Sequence, residues 1–279
     1  MSGTLYIVGT PIGNLGDFSP RAMEILQSVD FIAAEDTRVT LKLLNHFEIK
    51  KPMISYFEHN RFERGEIICQ RLENGENAAL VSDAGMPAIS DPGELLVKQC
   101  AQRDIPVLAV PGPSAVVTAL AVSGLPTGRF SFEGFLSTNR KGRSDHLQSL
   151  KNDPHTLVFY EAPHKLCRTL SDLYEVFGDR RIALVRELTK IHEEVFRTTL
   201  SGAIAHYAAN PPRGEFVLVI EGAPEDTGET EPMTLQEAVR MARQQMEQGA
   251  SAAAAAKEAA ALSGLRKNEI YRLLNQPEE

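Results

Sequence analysis

The sequence predicts an α/β protein with two α/β domains, a parallel sheet in the first and a mixed sheet in the second, followed by a small helical C-terminal module. Three observations predict this class: apolar runs alternating with helical periodicity in the first half, apolar runs with uneven connections in the second half, and three consecutive helical segments at the end. The chain of 279 residues is long enough for two cores. We place the first domain at residues 1–124, the second at 125–224, an acidic linker at 225–232 and the helical module at 233–279.

The first half contains short apolar runs rich in β-branched residues, at positions 5–9, 31–35, 53–57, 79–83 and 107–110. Strands of a parallel sheet are buried on both faces, so they read as continuous apolar segments. Helical patterns separate the runs, at 20–29 with Ser19 as N-cap and Pro20 in the first turn, and at 94–103. This order predicts a parallel sheet covered by helices on both faces.

The second half has apolar runs at 130–136, 157–161, 182–187, 195–200 and 216–221. The runs around Arg186 and Phe196 are close enough in sequence to pair as antiparallel strands. The connections elsewhere are uneven in length, which favours a mixed sheet. We expect the boundary between the two domains near residues 124–129.

The C-terminal part contains three short helical patterns, at 235–248, 252–262 and 267–275, with turns at Gly249 and at Ser263-Gly264. Three short helices in a row are typical of a helix-turn-helix module that lies on nucleic acid. A simple packing appendage explains them equally well, because Glu residues balance the Arg and Lys residues. The linker before them carries four carboxylates and no cation, so the formal net charge of −8 does not exclude a nucleic-acid partner.

Composition excludes several protein classes. With 43% hydrophobic and 24% charged residues, the chain is neither disordered, collagen-like nor a coiled coil throughout. No basic leader precedes the first strand, and Pro111 to Pro113 interrupt the uncharged stretch 105–128, so we expect no signal peptide and no membrane span. The three cysteines are far apart, which favours a reduced, cytoplasmic protein. No metal-ligand spacing occurs, and we expect no metal.

Three strand ends in the first half carry unusual loops, at residues 9–16, 82–93 and 110–115. The first is not G-x-G-x-x-G, because Pro11 takes the place of the second glycine, and it lacks the Lys-Ser/Thr ending of a P-loop. The second contains two Pro, two Gly and two Asp, which suit a ligand with an ammonium group and ribose hydroxyls. Structural turns with capping side chains are the alternative. Because these loops open on one edge of the sheet, we interpret them as a ligand site other than a dinucleotide or nucleoside triphosphate site.

The motifs in these loops resemble the tetrapyrrole methylase superfamily, and most closely its ribosomal RNA small-subunit methyltransferase I branch. The motifs are Gly9-Thr-Pro-Ile-Gly-Asn-Leu15, Ala34-Glu-Asp-Thr-Arg38, Ser82-Asp-Ala-Gly-Met-Pro87 and Pro111-Gly-Pro-Ser-Ala115. The resemblance continues through Phe132-Glu-Gly-Phe-Leu136, Phe159-Tyr-Glu-Ala-Pro-His164, Arg186-Glu-Leu-Thr-Lys190 and Gly214-Glu-Phe-Val-Leu218, and it includes the helical tail. It implies two α/β domains of the tetrapyrrole-methylase type with S-adenosylmethionine in the cleft between them, in a homodimer.

The resemblance also implies which residues contact the cofactor. On the side of the first domain these are Gly9, Thr10, Pro11, Ser82, Asp83, Ala84, Gly85, Ile89, Ser114 and Ala115. On the side of the second domain they are Phe159, Tyr160, Leu188, Pro212, Arg213 and Gly214.

The resemblance also implies that the methyl acceptor is a ribose hydroxyl of RNA. A ribose hydroxyl is a poor nucleophile, so a base or a nearby cation would assist methyl transfer, typically by roughly 10²- to 10⁴-fold. The candidates that the motifs supply are Glu35, Asp36, Arg38, Glu161, His164, Glu187 and Lys190. Structural roles compete with each of these assignments. Arg186 is able to pair with Glu161 or Glu187, and Asp36 is able to cap the following helix.

For contact with RNA we consider two basic segments. Arg140, Lys141 and Arg143 lie in a polar stretch after a predicted strand, and Arg61 and Arg64 follow the third strand together with His59 and Asn60. Cations at this density neutralise phosphates. Solvated surface loops explain them as well.

The expected function is S-adenosylmethionine-dependent 2′-O-methylation of a cytidine ribose in the decoding centre of 16S ribosomal RNA, within an assembled small subunit. Two alternatives remain open: a small-molecule tetrapyrrole methyltransferase of the same fold, and a non-catalytic nucleic-acid-binding protein. The sequence leaves open the identity of the general base, the choice between naked RNA and subunit, and base methylation instead of ribose methylation.

Overall fold

The structure is a computed structural model that describes residues 2–224, 233–247 and 249–274. The chain folds as two compact units, Met1–Ala223 and Pro224–Glu279, which are described separately. The predicted acidic linker at 225–232 lies outside the described residues.

A five-stranded parallel sheet forms the first half of the first unit. Its strands are β1 (Leu5–Val8), β2 (Phe31–Ala34), β3 (Met53–Ser55), β4 (Ala78–Val81) and β5 (Val107–Val110). Their order across the sheet is β3-β2-β4-β1-β5, and every neighbouring pair is parallel. The residues of β2 and β4 are all buried, as the continuous apolar runs predict.

Helices cover both faces of this sheet, which confirms the predicted arrangement. They are α1 (Pro20–Ser28), α2 (Thr37–His46), α3 (Arg61–Glu73) and α4 (Glu94–Gln102). A further helix, α5 (Ala115–Ser123), follows β5. Leu26 of α1 and Leu44 of α2 belong to the core on one face, and Leu72 of α3 and Leu96 of α4 to the core on the other. The Ser19 hydroxyl caps α1, with Pro20 in its first turn.

The second sheet is mixed, as predicted. Its strands are β6 (Phe130–Phe135), β7 (Thr156–Glu161), β8 (Arg181–Arg186), β9 (Glu194–Thr199) and β10 (Phe216–Ile220), in the order β6-β7-β10-β8-β9. The β6–β7 pair is parallel and the others are antiparallel. Leu184 lies opposite Phe196 in the β8–β9 pair, where the sequence predicts antiparallel pairing.

The second sheet is also covered on both faces. Three helices follow in this half of the unit: α6 (Arg140–Ser149), α7 (Pro163–Phe177) and α8 (Leu200–Ala209). Leu170 of α7 and Ala203 of α8 pack into the core on one face of the sheet. On the opposite face, Val116 and Leu120 of α5 pack with Val217 of β10. Helix α5 therefore joins the two sheets into one unit, and the predicted boundary near residue 124 follows it directly.

The described part of the second unit is a bundle of three helices, α9 (Leu235–Glu247), α10 (Ala252–Ser263) and α11 (Lys267–Leu274). Small side chains at the centre, such as Ala242 and Ala256, pack with Ile270. Thr234 and Glu237 form a reciprocal capping box at the start of α9. Gln248 and Asn275, the predicted last residues of two helices, lie outside the described residues.

Candidate active site

The three loops that the sequence singles out meet at one edge of the first sheet. Strands β4, β1 and β5 are neighbours, so their carboxyl ends lie side by side. Thr10 and Gly85 exchange two backbone hydrogen bonds of 3.0 and 3.1 Å, and the Thr10 hydroxyl donates to the Ser82 carbonyl oxygen at 3.2 Å. The Gly9 amide donates to the Val110 carbonyl at 3.1 Å. The loops are therefore hydrogen-bonded into one rim.

A cavity of about 560 Å³ lies between this rim and the second sheet. Its volume is within the range of small-molecule sites. Predicted cofactor contacts that line it are Asp83, Ala84, Gly85, Ile89, Ser114, Ala115, Tyr160 and Leu188. Predicted catalytic candidates that line it are Glu35, Glu161 and Lys190. One cavity thus gathers residues from both predicted domains.

Other predicted cofactor residues are not among those that line the cavity. They are Gly9, Thr10, Pro11, Ser82, Phe159, Pro212, Arg213 and Gly214. Thr10 and Ser82 are 2% and 3% exposed, because their polar groups hold the rim together. Phe159 is fully buried in the core on the opposite face of the second sheet, since successive residues of a strand alternate in direction, and Tyr160 lines the cavity instead.

Gly214, in the turn at residues 212–214, packs against Glu187, which in turn binds Lys190 of the cavity. A Cβ atom on Gly214 would lie 2.5 Å from Cγ of Glu187, and Gly214 has a φ of 80°. Glu187 accepts hydrogen bonds from the Glu215 amide and from Lys190 Nζ, at 3.0 and 2.9 Å. Gly214 and Glu187 therefore position Lys190, which does line the cavity.

Sequence reasoning missed several residues that line the cavity. They are Ile12, Met86, Ser90, Asp91, Phe135, Ala162, Val185, Glu215, Phe216 and Val217. Most belong to motifs that the sequence analysis quotes, so the signal was present at the level of motifs. Which residue of each motif faces the cavity depends on the packing of the two sheets.

The two facing walls contain strained backbone. Ala88 and Ser90 have positive φ angles of 68° and 114° in the β4–α4 loop, and Glu187 and Thr189 have φ angles of 51° and 64° in the β8–β9 loop. Residues other than glycine rarely adopt this conformation, and it concentrates at functional sites. The surrounding structure therefore holds these two loops in a strained conformation on either side of the cavity.

Three carboxylates cluster at the rim: Glu35, Asp83 and Asp91. Burial raises the pKa of Glu35, and the charges of Asp91 and Asp83 raise it further. Burial, with a further contribution from Asp83, raises the pKa of Asp91 as well. The three carboxylates repel one another in a partly desolvated environment, so a cation bound among them would stabilise their ionised forms.

Asp36 and Arg38, two catalytic candidates, do not line the cavity. Asp36 Oδ1 accepts from the Arg38 amide at 2.8 Å and caps α2, and its carboxylate binds the Arg38 guanidinium at 2.7 Å. These hydrogen bonds lower the pKa of Asp36 to about 2. The Asp36 amide donates to Asp83 Oδ1 at 3.0 Å, so Asp36 connects α2 to the rim.

Lys190 lies between two carboxylates at the opposite wall. Its Nζ atom is 2.9 Å from Glu187 Oε1 and 2.9 Å from Glu215 Oε2. Partial burial lowers the pKa of Lys190, but the hydrogen bonds with Glu215 and Glu187 outweigh burial and leave the pKa above its ordinary value. Lys190 is therefore protonated and unsuited to accept a proton.

Glu161 and Arg143 belong to one buried network. Glu161 is 4% exposed and accepts hydrogen bonds from the Thr169 hydroxyl and, at 2.8 Å, from the Ala162 amide. Arg143 donates to Thr169 at 2.9 Å and pairs with Asp172. The sequence analysis placed Arg143 in an exposed polar loop, but this segment is the first turn of α6, and Arg143 is 6% exposed. Arg143 is therefore not available to RNA.

The other basic candidates lie on helix surfaces. Arg140 and Lys141 are exposed in the first turn of α6, and Arg64 is exposed on α3. Arg61 pairs with Glu58 at 2.7 Å and lines a second groove of about 780 Å³. Arg186 pairs with Glu194 at 2.9 Å instead of the partners considered from the sequence.

His164, the remaining catalytic candidate, is exposed in the first turn of α7. Among the residues that the structure describes, no group of three or more His, Cys, Asp or Glu side chains is arranged to hold a metal ion. No described helix is long and apolar enough to cross a membrane.

The cavity fits a cationic ligand with an apolar body. In the described part of the chain, Lys190 is the one Lys or Arg among the lining residues, and two carboxylates neutralise it. A chain of phosphates would find no unpaired cation there. S-adenosylmethionine has a sulfonium and an ammonium for the carboxylates at the rim and an adenosine for apolar residues such as Ile12, Ile89 and Leu188.

The comparisons with known proteins agree with this geometry. The family model of tetrapyrrole (corrin/porphyrin) methylases matches residues 4–204. A Synechocystis sp. protein named ribosomal RNA small subunit methyltransferase I is 49% identical over 97% of both chains. A Bacillus subtilis protein of the same name is 45% identical over 96% of this chain and 93% of its own.

A solved structure shares the fold. It is the uroporphyrin-III C-methyltransferase of Thermus thermophilus complexed with S-adenyl homocysteine, with a TM-score of 0.53, 18% identity and coverage of 78% of this chain and 97% of that one. The family resemblance seen in the motifs is confirmed. The chain belongs to the tetrapyrrole (corrin/porphyrin) methylase family and, within it, to the ribosomal RNA small subunit methyltransferase I group.

Proposed function

We propose that this protein uses S-adenosylmethionine to methylate the ribose 2′-hydroxyl of a cytidine in the decoding centre of 16S ribosomal RNA, within the small ribosomal subunit in the cytoplasm. The observation that carries the proposal is the cavity at the rim, whose described lining residues include carboxylates and apolar side chains but no unpaired cation. The two relatives described above support the RNA substrate by their names and by coverage of nearly the whole chain.

The rim and the second sheet hold the methyl donor in this proposal. Glu35, Asp83 and Asp91 attract its positive charge, and Tyr160 and Leu188 pack against its apolar part. When bound, S-adenosylmethionine supplies a methyl group already activated by the sulfonium. The contribution of the protein is then mainly orientation, which accounts for a large share of rate enhancement in such displacements.

Glu35 is the residue best suited to accept the proton of the ribose hydroxyl. It lines both the cavity and the second groove, and burial raises its pKa above that of an ordinary carboxylate. A raised pKa makes a carboxylate a stronger base at neutral pH. Lys190 is protonated and held by Glu187 and Glu215 on the facing wall, so it does not compete with Glu35 as the base.

Contacts with RNA beyond the target nucleotide are assigned to exposed cations. Arg140 and Lys141 on α6 and Arg64 on α3 are exposed, whereas Arg143 is buried. We extend this assignment to the three-helix unit at 233–274, in keeping with its helix-turn-helix-like order.

We further propose a homodimer that covers the open edge of the first sheet. Strand β5 is one of the two edge strands, its Leu108 is 48% exposed, and Val117 of the adjoining α5 is 58% exposed. Exposed apolar edge strands are liabilities that proteins cover. A second copy of the chain presents the same surface and is the simplest cover.

The test is incubation of the protein with methyl-labelled S-adenosylmethionine and small subunits that lack the modification. We expect label in 16S RNA that survives alkaline hydrolysis as a dinucleotide, because a 2′-O-methyl group removes the hydroxyl that alkali needs. Label recovered in mononucleotides would indicate base methylation instead. Label transferred only to a tetrapyrrole precursor would indicate the small-molecule reaction, and absence of donor binding in calorimetry would indicate a binding protein.

A further inference from the structure

The second groove adjoins the proposed donor cavity and has no role in holding the donor. It lies between α3 and residues 88–95, and it shares Glu35, Ser90 and Asp91 with the cavity. We propose that this groove receives the target nucleotide, with the base stacked on Phe62 and the ribose directed toward Glu35. The proposal rests on the function proposed above and names where its acceptor binds.

Aromatic exposure is the first argument. Phe62 is 67% exposed and Phe57 is 38% exposed, and both line the groove. Phenylalanine is usually buried, and an exposed ring is available for stacking by an unpaired base. The Arg61 guanidinium lies 5.4 Å from the centroid of the Phe62 ring, which adds a second planar group to the same surface.

Charge is the second argument, because it gives the groove a direction. The end shared with the cavity carries the carboxylates of Glu35 and Asp91, which repel phosphate. Arg61 and Lys98 line the groove but not the cavity, so they lie away from the donor, and Glu58 and Glu94 lie there too. Glu58 pairs with Arg61 at 2.7 Å, so Lys98 is the cation that this end of the groove offers to a phosphate. A nucleotide therefore enters with a phosphate toward Lys98 and its ribose toward Glu35.

Shape is the third argument. A volume of about 780 Å³ accommodates a single nucleotide with room for its flanking phosphates. The positive φ angles of Ala88 and Ser90 fix the loop that separates the groove from the cavity. A nucleotide of structured RNA that enters this groove leaves its stack, and an exposed ring beside the reacting group compensates for the lost stacking.

The first experiment compares Phe62→Ala, Phe62→Trp and Tyr174→Ala in steady-state methylation of small subunits. Stacking on a single aromatic ring corresponds to a loss of about 5- to 150-fold in kcat/KM for the subunit when the ring is removed. We expect Phe62→Ala to show this loss with donor affinity and thermal stability unchanged. Phe62→Trp should retain activity, and Tyr174→Ala, which removes a ring that is 44% exposed on α7, should match the wild type.

The second experiment measures the salt dependence of subunit binding for Lys98→Gln and for Lys50→Gln. Each phosphate contact contributes roughly 0.7 to the slope of log affinity against log salt for a single strand. We expect Lys98→Gln to reduce the slope by about this amount. Lys50 is exposed and precedes β3, whereas the groove residues Phe57 and His59 follow this strand. Lys50→Gln should therefore leave the slope unchanged.

The outcomes separate this inference from the proposed function. A wild-type protein that does not methylate the small subunit overturns both. A wild type that methylates normally, with Phe62→Ala at wild-type kcat/KM, overturns the groove alone. If Phe62→Ala lowered donor affinity and thermal stability along with kcat/KM, the ring would have a structural role. This result would also overturn the proposal that the groove binds the nucleotide.

Discussion

Gly9 and Gly112 face each other so closely that a Cβ atom on Gly9 would lie 2.7 Å from Cα of Gly112. The same Cβ would lie 2.7 Å from Sδ of Met86, which lines the cavity. Gly9 follows β1 and Gly112 follows β5, so this contact joins two of the three rim loops backbone to backbone. The requirement for glycine here comes from the close packing of the two loops.

Gly9→Ala is therefore expected to displace the β1 and β5 loops. Crowding in a closely packed region costs about 1–3 kcal/mol, and the displacement also weakens donor binding because Met86 must move. Urea denaturation measures the first effect and calorimetry with S-adenosylmethionine the second. Gly128→Ala is the matched control, since a Cβ at Gly128 meets no atom within 4 Å. Equal stability of the two variants would contradict the close contact.

Arg143 and Arg140 are expected to differ although they share α6. Arg143→Met removes the guanidinium that pairs with Asp172 and donates to Thr169, and it should lower the free energy of unfolding by about 2–3 kcal/mol. This is less than for an enclosed pair, because the Asp172 side chain is 32% exposed. Arg140→Met should leave stability unchanged and weaken binding to small subunits at low salt. The reverse pattern in urea denaturation would contradict the burial of Arg143.

The strands were predictable because burial on both faces leaves continuous apolar runs in the sequence. Helices α1 and α4 and the three C-terminal helices were predictable from their helical periodicity and their caps and turns. The position of the site was predictable because the rim loops follow neighbouring strands. The choice between Phe159 and Tyr160 was not, since both lie on a strand covered on both faces and both are aromatic. The burial of Arg143 was not predictable either, because its partners Thr169 and Asp172 are 26 and 29 residues away.

Val117→Asp is expected to separate the proposed homodimer. An aspartate on the exposed face of α5 places a charge in an apolar contact, which disfavours association. Multi-angle light scattering should give the mass of one chain for this variant and of two chains for the wild type. Leu41→Asp, on an exposed position of α2, is the control and should remain dimeric. A monomeric wild type would contradict the proposed cover of β5.

Binding of the methyl donor is expected to release protons from the carboxylates at the rim. Burial and the neighbouring acids raise the pKa of Glu35 in the free protein, so part of this group is protonated at pH values above the ordinary 4.5. A bound cation favours the ionised form and lowers the pKa again. Donor affinity should therefore rise with pH up to the raised pKa and level off above it.

Calorimetry in two buffers of different ionisation enthalpy measures this release directly. We expect protons to be released at pH values between the pKa of Glu35 in the complex and its pKa in the free protein, and none above that window. Glu35→Gln should reduce the release and flatten the pH dependence of donor affinity. Glu24→Gln, which removes an exposed carboxyl of α1, should behave as the wild type. Proton uptake on binding would contradict the placement of the sulfonium beside these carboxylates.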